Sequence, residues 1–133
     1  MSITVEMILR LLLASALGAV IGYQRERAGK QAGLRTHMLI CVGAALFAII
    51  SAYGFSGAID PARIAAGVVV GVGFLGAGVI LHREGGAVAG LTTAATIWAV
   101  AGIGLAAGAG LYIVSAVATA IILGVLLIPR SIG

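Results

Sequence analysis

Apolar residues form five long runs along the chain, separated by short polar stretches. The best-defined run extends from Ile64 to Leu81, 18 residues without a charge, about the length a helix needs to cross a ~30 Å hydrocarbon layer. The other apolar runs cover residues of about 7–23, 37–53, 91–107 and 111–128. Asp60 and Pro61 precede the central run and are typical of a helix N-cap followed by a first-turn proline. The pattern predicts five transmembrane helices.

Composition supports this interpretation. The 133 residues are 62% hydrophobic and only 9% charged, with a mean hydropathy of +1.22, values far from those of a soluble domain. We therefore expect an all-α membrane protein with a single transmembrane domain over residues 1–133 and no soluble domain. Most of the chain is then expected to contact the lipid bilayer.

The formal charge of +4 does not indicate nucleic-acid binding, because the basic residues lie at the ends of the apolar runs. With five spans, one side of the membrane holds six cations: Arg25, Arg27, Lys30, Arg35, Arg83 and Arg130. The other side holds Arg10 and Arg63. The positive-inside rule predicts an amino terminus outside the cell and a carboxyl terminus in the cytoplasm.

Small residues recur at four-residue spacing, which favours close contact between membrane helices. In the central run three glycines share one side of a helix, Gly67, Gly71 and Gly78, while Gly73 and Gly76 lie on the other. Gly18 and Gly22 continue a similar stripe from Ala14 in the first run. These seven glycines are predicted to be helix-packing residues in a bundle and in a homo-oligomer. Residues 71–76 also fit GxGxxG, but an acid about 20 residues on is missing, so nucleotide binding is not expected.

A shift of 58 residues superimposes two parts of the chain. It sets Arg25-Glu26 on Arg83-Glu84, and with one residue skipped it sets residues 33–36 on residues 90–93, both Gly-Leu-x-Thr. This predicts a parallel repeat of two hairpins, related by a pseudo-twofold axis along the membrane normal, plus a fifth helix. The two connectors would then form a cytoplasmic contact surface made of Arg25, Glu26, Gly33, Leu34, Arg35, Thr36, Arg83, Glu84, Thr92 and Thr93. In the alternative interpretation Arg-Glu caps one helix and Gly-Leu-x-Thr starts the next.

The polar residues offer little chemistry inside the membrane. All four carboxylates lie at the ends of apolar runs, and only if the chain is a transporter would Asp60, Glu26 or Glu84 hold a metal ion. His37 and His82 are expected to be solvated at the interface, Arg10 to reach toward water, and Cys41 to be a small packing residue. Neither HExxH nor GxSxG occurs. We expect no enzymatic activity and no cofactor.

Several motifs resemble one family when taken together and in order. They are Gly22-x-x-Arg25-Glu26, Gly33-Leu34-Arg35-Thr36, Asp60-Pro61-x-Arg63-Ile64-Ala65-Ala66, residues 73–80 (GFLGAGVI) and Gly90-Leu91-Thr92-Thr93-Ala94-Ala95-x-x-Trp98. The set is similar to the amino-terminal membrane domain of the MgtC/SapB family. The resemblance implies a bacterial inner-membrane protein linked to growth at low magnesium, acid adaptation and regulation, including restraint of the ATP synthase.

Two functional hypotheses follow. The first is a non-catalytic regulatory membrane protein that binds itself or another membrane complex such as the ATP synthase. The second is a transporter of magnesium or another small solute.

Overall fold

The computed structural model describes residues 2–57, 60–81 and 90–129. They form five helices: α1 (Ile3–Arg27), α2 (Leu34–Tyr53), α3 (Ala62–Leu81), α4 (Leu91–Gly108) and α5 (Tyr112–Leu126). The prediction of an all-α membrane protein with five helices is thereby confirmed. Helices α1 to α4 are long and apolar enough to cross a membrane, whereas α5 has 15 residues and is about 22 Å long. His82, Arg83 and Glu84 of the predicted sites lie outside the described residues.

Side chains from neighbouring segments satisfy the first amide groups of three helices. The hydroxyl of Ser2 accepts from the N–H of Val5 at 3.2 Å, and the Asp60 carboxylate accepts from the N–H of Ala62 at 3.0 Å. The Glu26 carboxylate accepts from the N–H of Leu34 at 3.2 Å. The last turn of α1 therefore caps the start of α2. Helix α1 extends beyond its apolar run at both ends.

The helices contact one another in the pattern that the two-hairpin repeat predicts. α1 packs on α2 as α3 packs on α4, α1 contacts α4 as α3 contacts α2, and α2 and α4 lie together at the centre. Gly33 and Gly90, equivalent in the repeat, are the N-caps of α2 and α4. α5 packs against α4 and α1 and has no counterpart in the first hairpin.

Glycines bring the central helices into backbone contact. A Cβ on Gly18 would lie 2.8 Å from the Cβ of Cys41, and a Cβ on Gly22 would lie 2.8 Å from the Cα of Leu34. On α4, Gly104 and Gly108 face backbone carbonyl oxygens of α2 and leave no space for a side chain. Only glycine permits helices to approach so closely.

Most of the surface of helix α3 is open, and the same is true of helix α5, on which only Ser115 and Thr119 are buried. Only 11% of the α3 span is buried, against 28%, 33% and 50% for α1, α2 and α4. Gly76 contacts Ala94 of α4, but a Cβ on Gly67, Gly71, Gly73 or Gly78 would meet no atom of the described chain within 4 Å. Helix contact at these four glycines stays a prediction.

Candidate functional site

One polar cluster surrounds Arg10, a third of the way along α1. We define the Arg10 cluster as Glu6, Arg10, Tyr53, Tyr112 and the backbone carbonyl of Gly108. The guanidinium donates to the Glu6 carboxylate and the Gly108 carbonyl at 3.0 Å, and to the Tyr53 and Tyr112 hydroxyls at 3.2 Å. The Tyr112 hydroxyl also donates to Glu6 at 3.0 Å. One side chain thus joins α1 to α2, α4 and α5.

The expectation that Arg10 reaches toward water is wrong, since the side chain lies within the bundle and the residue is only 6% exposed. The bundle supplies a carboxylate, a carbonyl and two phenols, which replace the water that a lipid-facing arginine would need. The guanidinium also lies over both tyrosine rings, 5.5 Å from the Tyr53 centroid and 6.0 Å from the Tyr112 centroid. The cluster therefore has a structural role, because it links four helices. Its two charged groups, Arg10 and Glu6, bond to each other.

A second polar cluster lies at the opposite end of α1. We define the Arg25 cluster as Arg25, His37 and Thr93. Arg25 donates through Nη2 to the Thr93 hydroxyl at 2.9 Å, and His37 Nδ1 lies 2.8 Å from the carbonyl oxygen of Gly33. A carbonyl accepts only, so Nδ1 carries a proton and Nε2 of the neutral ring is an acceptor.

Two buried atoms of the Arg25 cluster, Arg25 Nε and His37 Nε2, have no hydrogen-bond partner among the described residues. They are one donor and one acceptor, both of which a buried water molecule can satisfy. The fixed guanidinium charge opposes cation binding at this point. The geometry therefore suits a hydrated polar junction between α1, α2 and α4 better than a metal site.

Two predicted surface residues are not on the surface. Arg25 and Thr93 are 3% and 4% exposed, because the start of α4 packs against the end of α1 and turns the two side chains toward each other. His37 is completely buried rather than solvated, since α1 covers it at Gly22. The remaining described residues of the predicted contact surface are at least partly exposed: Glu26, Gly33, Leu34, Arg35, Thr36 and Thr92.

The described carboxylates all accept hydrogen bonds from the protein. Glu6 belongs to the Arg10 cluster, while Glu26 and Asp60 cap α2 and α3. Glu26 and Asp60 lie beyond opposite ends of α2, which at 20 residues is about 30 Å long, so they are too far apart to bind one ion together. In the described ranges no three His, Cys, Asp or Glu side chains are grouped as metal ligands.

An apolar groove of about 540 Å³ runs between α2 and α3. Its walls include Leu39, Gly43, Phe47, Gly67, Gly71 and Leu75. We call it the α2/α3 groove. It exposes almost no polar atoms, so it suits a hydrocarbon surface rather than an ion or a sugar.

Helix lengths, buried polar clusters and glycine contacts together define a polytopic α-helical membrane protein. Comparison with known proteins identifies the family, since the profile of the MgtC family matches residues 11–133. The chain belongs to the MgtC family. No solved structure matches it.

Three relatives illustrate the similarity. "Putative magnesium transporter YhiD" of Escherichia coli (strain K12) is 53% identical over 116 residues, covering 82% of this chain and 54% of the relative. "Protein MgtC" of Brucella abortus (strain 2308) is 49% identical over 112 residues, covering 84% and 46%. "Protein SapB" of Bacillus subtilis (strain 168) is 44% identical over 114 residues, covering 80% and 49%. The chain spans about half the length of these relatives.

Sequence reasoning missed the residues that act across helices. Tyr53 and Tyr112 bond to Arg10 from 43 and 102 positions away, and no local pattern links them. Gly104 and Gly108 had a usable signal, because they are four residues apart in an apolar run. Their spacing equals that of Gly18 and Gly22.

Proposed function

We propose that this MgtC-family protein is a non-catalytic regulator in the bacterial inner membrane that acts by binding other membrane proteins. The observation that carries the proposal is the engagement of all three described carboxylates in holding helices together. Moving a divalent cation through a bilayer requires oxygen ligands in the interior, and these three are committed to capping and to the Arg10 cluster. A bundle whose described carboxylates are all engaged in this way is suited to contact rather than conduction.

The surface for polar contacts is the end of the bundle where α1 ends and α2 and α4 begin. Arg35, Thr36 and Thr92 are exposed there, and Glu26 is exposed while it caps α2. With the amino terminus outside, as the charge distribution predicts, this end faces the cytoplasm. It is accessible to the soluble parts of a larger membrane complex.

The physiological role follows from the family resemblance. We propose that the protein acts in adaptation to low magnesium and to acid, and that its partner is the ATP synthase. Reducing ATP turnover would lower the demand for the magnesium that accompanies ATP, which connects the two conditions to one regulatory contact.

A transporter of magnesium or another small solute is the second candidate. The observation in its favour is the name of the YhiD relative, which mentions magnesium transport. In that case Asp60 on one side or Glu26 on the other would be the first protein ligands an ion meets, and their capping bonds would have to break.

Vesicles containing the purified protein separate the two functions. We expect no protein-dependent magnesium influx, measured with an enclosed fluorescent magnesium indicator. Saturable influx that disappears in both Asp60→Ala and Glu26→Ala would establish the transporter instead. Ser2→Ala is the matched control, because it removes a helix cap without removing a carboxylate.

The regulatory proposal has its own test. In inverted membrane vesicles, we expect the protein to reduce ATP-driven proton pumping, and we expect Arg35→Glu to weaken that effect. Arg63→Glu reverses an equally exposed charge near the other end of the bundle and should not weaken it. Unchanged pumping would reject the ATP synthase as the partner while leaving the flux result as a separate test of the transporter.

A further inference from the structure

The two halves of the bundle are covered unequally. The second hairpin continues into α5, which lies against α1 and α4. Applying the repeat exchanges α1 with α3 and α4 with α2, so the counterpart of the surface beneath α5 is the surface between α3 and α2. That surface is the α2/α3 groove, and no helix of the described chain occupies it.

Residue positions support this equivalence. Leu13 and Leu17 of α1 pack with Ala118 and Ile122 of α5 around a core cluster that contains Val100 of α4. The repeat relates three of these residues to three that line the groove: Leu13 to Gly71, Leu17 to Leu75, and Val100 to Gly43. Positions that share a core cluster with α5 in one half thus line an open groove in the other.

The groove is lined by smaller side chains than its counterpart at two of these positions. Glycine replaces leucine on one wall and valine on the other, and a Cβ on either Gly43 or Gly71 would meet no atom within 4 Å. Arg10 bonds to Tyr112 at the start of α5, and its equivalent in the groove is Val68. Valine cannot form the hydrogen bonds by which Arg10 holds α5. A helix entering the groove must be held by close backbone packing.

We infer that the α2/α3 groove binds helix α3 of a second copy of this chain, forming a twofold dimer with its axis along the membrane normal. Copies inserted with the same topology present α3 parallel to α3. This is the orientation that α5 has toward α1, since Tyr112 at the start of α5 contacts Glu6 near the start of α1. The stripe of Gly67, Gly71 and Gly78, where a Cβ would meet no atom of the described chain, then meets an identical stripe across the axis.

Twofold symmetry favours α3 over α5 as the helix that enters. If α5 of a second copy filled the groove, the contact would be head to tail, because α5 and the groove lie on opposite sides of the pseudo-twofold axis. Head-to-tail contacts produce rings or open chains, whereas α3 against α3 closes after two copies. The inference is independent of the function proposed above, because it rests only on the repeat and the groove.

Disulfide cross-linking in membranes tests the dimer. In a Cys41→Ala background, Gly71→Cys should form a cross-linked dimer on mild oxidation, because the two copies meet at this position. Gly73→Cys is the matched control, since Gly73 is also an open glycine of α3 but faces the opposite side. We expect roughly tenfold more dimer from Gly71→Cys, because disulfides form only when the Cα atoms come within about 7 Å.

A second experiment adds a large side chain at the proposed interface instead of a cysteine. Gly71→Leu should convert the protein in detergent from dimer to monomer with unchanged helix content, because the open groove accepts the side chain within one copy. Gly73→Leu should leave the dimer intact. Light scattering reports the mass, and circular dichroism reports the helices.

Several results would overturn the inference. Equal cross-linking at both positions, or none at Gly71→Cys, would show that α3 does not meet its copy there. Preferential cross-linking of Gly71→Cys to Ala120→Cys in mixed membranes would assign the groove to α5. A monomeric mass with tightly retained phospholipid would assign it to an acyl chain.

Discussion

Replacing Arg10 tests whether one buried side chain holds four helices together. In Arg10→Met the chain length is kept while hydrogen bonds to Glu6, Tyr53, Tyr112 and the Gly108 carbonyl are lost. Among these partners only the Gly108 carbonyl forms a buried bond with Arg10, and leaving a buried acceptor without its donor costs about 1–3 kcal/mol. Glu6, Tyr53 and Tyr112 are about a third or more exposed and can rehydrate, so we expect a loss within that range.

The assay is unfolding in mixed detergent micelles, followed by the loss of helical circular dichroism. Arg27→Met is the matched control, since it removes an exposed arginine of the same helix whose side chain bonds only Tyr23, at 3.4 Å, among the described residues. An exposed cation–π contact such as that of Arg27 with the Tyr23 ring contributes about 0.5–1 kcal/mol.

The double substitution Arg10→Met with Glu6→Gln should destabilise the protein by less than the sum of the two single effects, because both remove the same interaction. Equal free energies of unfolding for Arg10→Met and Arg27→Met would refute the structural role of the Arg10 cluster.

Two further pairs of variants test packing and buried bonding. Gly104→Ala should destabilise the bundle because its methyl group meets an α2 carbonyl oxygen, whereas Gly102→Ala, in open space on the same helix, should be neutral or gain up to about 1 kcal/mol from helix propensity. Unfolding curves would measure the change in free energy of unfolding for each variant. Equal changes for Gly104→Ala and Gly102→Ala would contradict the close α2–α4 contact. Thr93→Val removes the partner of Arg25 and should cost about 1–3 kcal/mol, while the exposed Thr92→Val should have little effect. Equal stability of these two variants would show that the Arg25–Thr93 bond is dispensable.

The helices and the family were readable from sequence because both depend on local or linear information. Uninterrupted apolar length determines where a helix can cross the bilayer, and the repeat places Gly33 and Gly90 at equivalent helix starts. The family was recognisable because its motifs, from Gly22 to Trp98, occur in the family's order along the chain. The sequence offered Arg25-Glu26 as a cap at the end of a helix, as the alternative to a contact role, but that Glu26 caps the start of α2 came from the structure.

Which side of each helix meets another helix was decided only by the tertiary structure. In water an apolar stripe marks the buried side, but lipid is as apolar as a bundle interior, so hydropathy does not distinguish the two sides in a membrane. Gly71 and Gly104 therefore look alike in sequence, yet one faces open space and the other faces α2. Arg10 and Arg25 look like interfacial anchors, yet both are buried, because their hydrogen-bonding partners come from distant helices.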